Sequence, residues 1–257
     1  MILVCWAAAC VFPVLCLLGG TSQSVALLWQ PAIVGGLFLA GQLFTFLAVS
    51  RGDVSIVAPV LGVKILIVPA ASHFVVDEQA PARIWIAAAV AVIGIGFVQV
   101  RDANIQRSRV LASVIYSLLA ACVMTMFDLL IQRWAPRWGA GYFLPLTFFF
   151  SALFSLAFLP LADRPKKLLD LGLMPWLALG ALLMAVQAIG MTLTLGMFGD
   201  ATRVNIMYSM RGVWGVLFTW VVATQFNTSD LKPNRRTMLM RLIGAFLLAG
   251  AVVISVT

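Results

Sequence analysis

The sequence predicts an all-α polytopic membrane protein of about nine transmembrane helices. Of its 257 residues, 63% are hydrophobic and 10% are charged, and the mean hydropathy is +1.06. Soluble domains carry roughly 25% charged residues, which they need to cover their surface with polar groups. The composition therefore excludes a soluble globular protein. Apolar runs that do not alternate with polar residues, such as 144–161, exclude a membrane β-barrel.

The positions of the nine spans follow from apolar runs that lie between charged and turn-forming residues. A membrane-spanning helix needs about 20 apolar residues. Tryptophans fall at or near several of the predicted ends, where their amphipathic rings favour the headgroup region. The predicted spans are 2–19, 31–50, 54–75, 84–100, 110–132, 142–161, 175–197, 201–224 and 238–256.

Several function classes are disfavoured by the composition. The net charge is +8, but the basic residues are scattered over short loops and form no patch for nucleic acid. His73 is the only histidine, and the chain lacks the motifs of phosphate loops and serine nucleophiles, so we expect neither an enzyme nor a bound metal or cofactor. We expect His73 to lie at a solvated helix end. The four cysteines lie in apolar runs and are predicted to be small core residues: Cys5, Cys10, Cys16 and Cys122.

Two segments of the chain repeat at an offset of 147 residues. The pairs Gly52-Asp53 and Gly199-Asp200 each follow one predicted span and open the next. At the same offset, Lys64 corresponds to Arg211. The pattern predicts a duplication, with a first repeat of four helices at 1–103 and a second of five helices at 108–257. Residues 108–147 have no counterpart in the first repeat, so its first helix is expected to be missing.

A complete unit of five spans ends on the opposite face of the membrane, so a second copy runs inverted, as in many secondary transporters. At this level the sequence resembles the ten-helix drug/metabolite transporter superfamily, EamA-type. Three segments carry the resemblance: Gly41-Gln42-Leu43-Phe44, the run from Arg51-Gly52-Asp53 to Ala58-Pro59, and Asp77-Glu78 before the span at 84–100. The second copy of the acidic turn departs from the family pattern, reading Phe226-Asn227-Thr228-Ser229-Asp230.

The resemblance implies export or exchange of a small metabolite through a cavity between the repeats. The missing helix keeps open a non-transporting or partner-dependent membrane subunit, or a truncated gene product. Lys64 and Arg211 fall near mid-membrane, where they would attract an anionic or zwitterionic substrate. We predict these residues to line the substrate site: Lys64, Arg211, Asn205, Tyr208, Gln42 and Gln187.

Asp128 is the only acid deep in a predicted span. It is a candidate for proton coupling or for an ion pair with Lys64 and Arg211. A third interpretation is a solvated position near the interface. Pro59, Gly62 and Pro69 are predicted to interrupt the third span, and Gly212 and Gly215 its repeat partner. Asn205 and Tyr208 would otherwise bond to neighbouring helices. Close helix packing is the predicted role of four other glycines: Gly94, Gly96, Gly244 and Gly250.

The expected partners are the lipid bilayer and a small-molecule substrate, without nucleic acid; a homo-oligomer or a partner subunit is left open. The predicted location is the cytoplasmic (plasma) membrane. Basic residues are concentrated in the loops after the even-numbered spans, which by the positive-inside rule places Met1 inside and Thr257 outside. The family resemblance implies the opposite side for the C-terminus, and both orientations stay open.

Overall fold

A computed structural model describes residues 1–52, 54–98, 107–161, 172–211, 213–214 and 235–257. In these residues all regular structure is helical. Short 3₁₀ segments continue the first and seventh helices and precede the second, at Phe12–Leu18, Leu156–Leu161 and Val25–Leu27. The α-helices are α1 (Ile2–Val11), α2 (Trp29–Arg51), α3 (Val54–Gly62), α4 (Lys64–Val75), α5 (Ala82–Val98), α6 (Arg107–Trp138), α7 (Ala140–Ser155), α8 (Met174–Phe198), α9 (Ala201–Tyr208) and α10 (Arg235–Val256).

The chain is an all-α polytopic membrane protein, as the composition predicted. Five helical stretches of the described chain are long and apolar enough to cross a membrane: Val25–Arg51, Val110–Trp138, Ala140–Pro160, Met174–Phe198 and Leu239–Val256. Three shorter apolar helices coincide with the predicted first, third and fourth spans: Ile2–Leu18, Pro59–Val75 and Ala82–Val98. The predicted span at 201–224 is described only over 201–211 and 213–214.

One boundary prediction was clearly wrong. The fifth span was expected to end at residue 132, but α6 continues to Trp138. Charged Arg133 and Arg137 suggested a loop, yet both are exposed on a continuing helix. The helix ends only where Gly139 adopts a φ of +75°, a conformation that favours glycine, and α7 begins at the next residue.

The distribution of side chains is that of a protein in lipid. Large apolar side chains are exposed, including Leu17 (89%) and Phe74 (81%), while Asp128 is 1% exposed. In water such an apolar surface would be unfavourable, whereas lipid tails accept it. For the same reason the prediction of four core cysteines holds only for Cys5, because the other three cysteines are exposed.

The described helices form two compact units, which cut across the predicted repeats. The first unit comprises Met1–Leu43 and Met126–Asp200, and the second comprises Phe44–Thr125 and Ala201–Thr257. Helices α2 and α6 each contribute residues to both units. The repeat boundaries at 1–103 and 108–257 stay a prediction.

In the first unit, α1 packs against α7 and α8. Its centre is aromatic: the ring of Phe148 on α7 lies 3.7 Å from that of Phe12 and 4.9 Å from that of Phe38 on α2 (centroid to centroid). Phe38 also contacts Phe127 of α6 at 5.4 Å. The Trp138 indole, which is buried, donates a hydrogen bond of 2.9 Å to Gln30 Oε1 and so satisfies its N–H inside the apolar core.

In the second unit, α5 and α10 pack closely and run antiparallel. A Cβ on Gly244 would lie 2.6 Å from the carbonyl oxygen of Gly94 and from the amide nitrogen of Val98, so the two backbones touch. At the other end of the pair, Arg83 donates a hydrogen bond to the carbonyl oxygen of Thr257. The packing role predicted for Gly94 and Gly244 is therefore confirmed. At Gly96 and Gly250, no atom of the described residues lies within 4 Å of a Cβ, so this part of the chain shows no close packing at either position.

Candidate functional site

The two turns that the sequence predicts to open the repeated segments have the same backbone hydrogen bond. The amide of Gly52 donates to the carbonyl of Ala48 (2.9 Å), and that of Gly199 donates to Leu195 (3.0 Å). Both partners lie 147 residues apart, as the glycines do. Asp53, the acid of the first copy, lies outside the described residues.

In the first copy the helix is interrupted just before Lys64. Helix α3 ends at Gly62, and α4 begins at Lys64. The amide of Val63 bonds to the carbonyl of Val60 (3.1 Å), three residues back, instead of to Pro59 four residues back. The predicted interruption is thus confirmed near Pro59 and Gly62, but Pro69 lies inside the continuous helix α4.

In the second copy the helix is interrupted just before Arg211. Helix α9 ends at Tyr208, and the amide of Met210 bonds to the carbonyl of Met207 (3.1 Å), again three residues back. This is the Val63 bond shifted by 147 residues. Two further bonds also correspond in the two copies: Leu66 and Ile67 to Val63 (2.9 and 3.2 Å), and Val213 and Trp214 to Met210 (3.0 and 3.3 Å). Gly212 and Gly215 lie outside the described residues.

The two interrupted helices belong to the same unit and pack together. Helix α9 contacts α4, and Ile206 and Ile65 belong to one buried core that also includes residues of α5 and α10. Lys64 directly precedes Ile65 and is half-buried, whereas Arg211 is exposed. The structure therefore places the two predicted cations on helices that share a core.

Tyr208 and Arg211 form a local pair across the interruption. Arg211 Nη1 donates a hydrogen bond of 2.6 Å to Tyr208 Oη, and the Arg211 Cζ atom lies 4.3 Å from the centroid of the tyrosine ring. Both the phenol and the ring face therefore orient the guanidinium. A role for this tyrosine in bonding only to a neighbouring helix does not fit this geometry.

Asn205 is buried at 3% exposure, and its Nδ2 donates a hydrogen bond of 2.8 Å to the carbonyl of Ala201 in its own helix. The carboxamide thus binds a backbone carbonyl at the start of α9. A direct role in substrate binding stays a prediction.

The remaining predicted site residues belong to the first unit. Gln42 lies on α2 and is half-buried. Gln187 lies at the middle of α8 and is exposed, on a helix most of whose side chains are exposed. Asp128 is 1% exposed and lies ten residues before the end of α6. The interpretation that its carboxyl group is solvated near the interface is therefore wrong.

Sequence reasoning missed a set of buried polar side chains on α6 and α7. On α7 they follow a period of four residues, which puts them on one helix face. Trp6 Nε1 donates a hydrogen bond of 3.0 Å to one of them, Ser155. The missed residues, all 5% exposed or less, are Ser113, Ser117, Thr125, Gln132, Thr147, Ser151 and Ser155. Their spacing was the available signal, because serine and threonine barely interrupt an apolar run.

His73 is exposed in the last turn of α4, as predicted for a solvated helix end.

In comparisons with known proteins, the sequence matches no protein family and no curated protein. It does match solved structures. One, described only as "Crystal structure of protein", superposes with a TM-score of 0.65 at 16% identity, over 99% of this chain and 86% of the other. At that identity the likeness shows the fold alone.

Proposed function

We propose that the protein is a secondary transporter of the drug/metabolite type, which exports or exchanges a small anionic or zwitterionic metabolite across the cytoplasmic membrane. The observation that carries the proposal is the matching helix interruption, with a cation directly after it in each copy. Transporter binding sites are commonly built from such discontinuous helices near the middle of the membrane.

The position of Lys64 supports an anionic ligand. Lys64 is the first residue of α4, a helix of 12 residues, so its side chain is attached at the positive end of the helix. Cations favour the opposite end of a helix, so this placement is unfavourable by itself. A bound carboxylate or phosphate group would interact favourably with both the ammonium and the helix end.

The exposed guanidinium of Arg211 supports the same ligand class. Its fork of N–H donors matches the two oxygens of a carboxylate, and Tyr208 limits its rotation. The proposed site is asymmetric: Tyr208 orients Arg211, whereas the residue that corresponds to Tyr208 in the first copy is Leu61, which cannot orient Lys64 in this way.

Transport by the purified chain in liposomes tests the proposal. The probes are labelled amino acids, small dicarboxylates and sugar phosphates, each measured for saturable uptake. Lys64→Gln and Arg211→Gln should each lower the uptake of the accepted anion by about tenfold or more, the effect of losing a charge-assisted hydrogen bond. Lys64→Arg and Arg211→Lys should retain part of it.

Arg137→Gln is the matched control, because Arg137 is an exposed cation at the end of α6. It should transport as the parent chain does. Equal transport by the Lys64 and Arg211 variants would refute the site. Absence of saturable uptake for every probe would favour the alternative, a partner-dependent membrane subunit, which copurification from native membranes would then identify.

A further inference from the structure

One face of α6 carries five buried polar side chains, spread over most of the length of the helix. It consists of Ser113, Ser117, Thr125, Asp128 and Gln132, which we call the α6 polar face; each is 5% exposed or less. At 100° per residue these five side chains fall within about a third of the helix circumference. The opposite side of the helix is apolar and exposed at Leu111, Ile115, Leu118, Leu119 and Cys122.

The α6 polar face is long enough to cross the hydrocarbon region. The residues from Ser113 to Gln132 rise by about 28 Å at 1.5 Å per residue, close to the thickness of roughly 30 Å of a bilayer core. Polar side chains in lipid are costly unless they are satisfied, so five of them on one face, with only the apolar Ala121 and Met124 between Ser117 and Thr125, require an explanation.

Two hydroxyls on this face are unsatisfied. In the part of the chain that the structure describes, the oxygens of Ser117 and Thr125 are buried and have no hydrogen-bond partner. Alanine or valine would fill these positions more favourably in a bundle that stayed closed. Hydroxyls are favoured there if water reaches the face in another conformation.

Asp128 gives this face a group that can bind a proton. It is the only acidic residue in the described helices. In its unit, the helices α1, α7, α8 and the first part of α2 contain no lysine, arginine, histidine or acid. The other charged or titratable side chains on the helices of this unit are Arg133 and Arg137 on α6, Tyr142 on α7, and Cys5, Cys10 and Cys16 around α1.

We propose that the α6 polar face is a proton path, hydrated when the protein opens, and that Asp128 couples transport to protons. The carboxylate takes a proton from a hydronium ion that arrives along the face, which leaves water and a neutral carboxylic acid. The acid returns the proton to water on the other side of the membrane. This inference rests on the proposed transport function, and its first two tests need no substrate.

The first test measures water access with a thiol reagent, 2-aminoethyl methanethiosulfonate, on the full chain in liposomes. Each protein carries one cysteine: Ser117→Cys, Thr125→Cys, or the native Cys122 as the control on the lipid side of the same helix. Thiols react as thiolates, which form in water and not in hydrocarbon, so both variants should react about tenfold or more faster than Cys122. Rates equal to that of Cys122 would overturn the proposal.

The second test follows the carboxyl group by infrared spectroscopy from pH 4 to 9. The parent chain should show a carboxylic acid band that titrates and is lost in Asp128→Asn. A spectrum in which Asp128→Asn removes no titrating band would refute proton exchange at this residue. Because either cysteine variant suffices for the first test, poor folding of one leaves the other decisive.

The third test joins the two proposals. With an accepted anion, a pH gradient should stimulate uptake in the parent chain but not in Asp128→Asn, which should still exchange substrate. Reactive cysteines without transport that depends on Lys64 and Arg211 would refute the proposed substrate site alone. Transport with unreactive cysteines and no effect of Asp128→Asn would refute the proton path alone.

Discussion

The phenol of Tyr208 accepts a hydrogen bond from the Arg211 guanidinium at 2.6 Å, across the point where the helix is interrupted. The two side chains are three residues apart, so the pair would form in a regular helix as well. Here it spans the altered turn, where the Ser209 amide is shared between the carbonyls of Asn205 and Ile206 and the Met210 amide bonds three residues back. The tyrosine therefore holds the cation at the interruption.

Tyr208→Phe tests this positioning role. The variant keeps the ring face beneath the guanidinium but loses the oxygen that accepts its hydrogen bond. We expect the KM for an accepted anion to rise about threefold to tenfold, because the lost bond orients the cation and does not itself contact the anion, with little change in the maximal rate. Tyr142→Phe, on an exposed tyrosine of α7, is the control and should leave both constants unchanged.

Gly244→Ala tests the close contact between α5 and α10. The added methyl group would meet the backbone of Gly94 and Val98 at 2.6 Å, so the helices must separate. A loss of about 1 to 3 kcal/mol of stability is expected from such overpacking. The midpoint of thermal unfolding in detergent measures it. Gly250→Ala, in the same helix and with no atom of the described chain within 4 Å of its new methyl group, should be neutral or slightly stabilising.

The glycines of the two repeated turns are required for different reasons. Gly199 has a φ of +64° and open space around it, whereas a Cβ on Gly52 would collide with the carbonyl oxygen of Ala48 and with Ser113. Asparagine adopts the left-handed conformation more readily than other non-glycine residues. Gly199→Asn should therefore yield folded protein, and Gly52→Asn should not, as judged by monodisperse elution in size-exclusion chromatography. The reverse result would contradict this assignment.

A double-mutant cycle tests the buried bond between Trp138 and Gln30. Gln30→Met removes the acceptor and leaves the indole N–H buried without it, which should cost about 1 to 3 kcal/mol in thermal stability. Because Trp138→Phe removes that N–H, adding Gln30→Met to it should cost measurably less than Gln30→Met alone. Strict additivity of the two changes would show that the hydrogen bond contributes nothing.

The sequence predicted the positions of the helices better than the environments of their side chains. Apolar runs identify spans reliably because a bilayer requires about 20 apolar residues, and Pro59 with Gly62 marked a real interruption. The end of α6 was misplaced because Arg133 and Arg137 are compatible with an exposed helix as well as with a loop. Their exposure depends on neighbours that the local sequence does not specify.

Packing roles were harder to predict because they depend on which helix face meets a partner. Gly94 and Gly96 are equally small, yet only Gly94 points towards α10. The burial of Asp128 was equally hard to predict. Its position in the chain is compatible with a solvated or a buried carboxyl group, and the packing around α6 determines that it is buried. The spacing of the polar residues on α6 carried this information, but weakly against an apolar background.

The division of the helices between the two units has a consequence for the assembly of the chain. Each unit takes helices from both predicted repeats: α1 packs with α7 in the first unit, and α4 packs with α9 and α5 with α10 in the second. Cleavage within residues 99–106 would therefore give two polypeptides, neither of which contains a complete unit. Such halves would have to be synthesised together, because each unit forms only when helices from both halves are present.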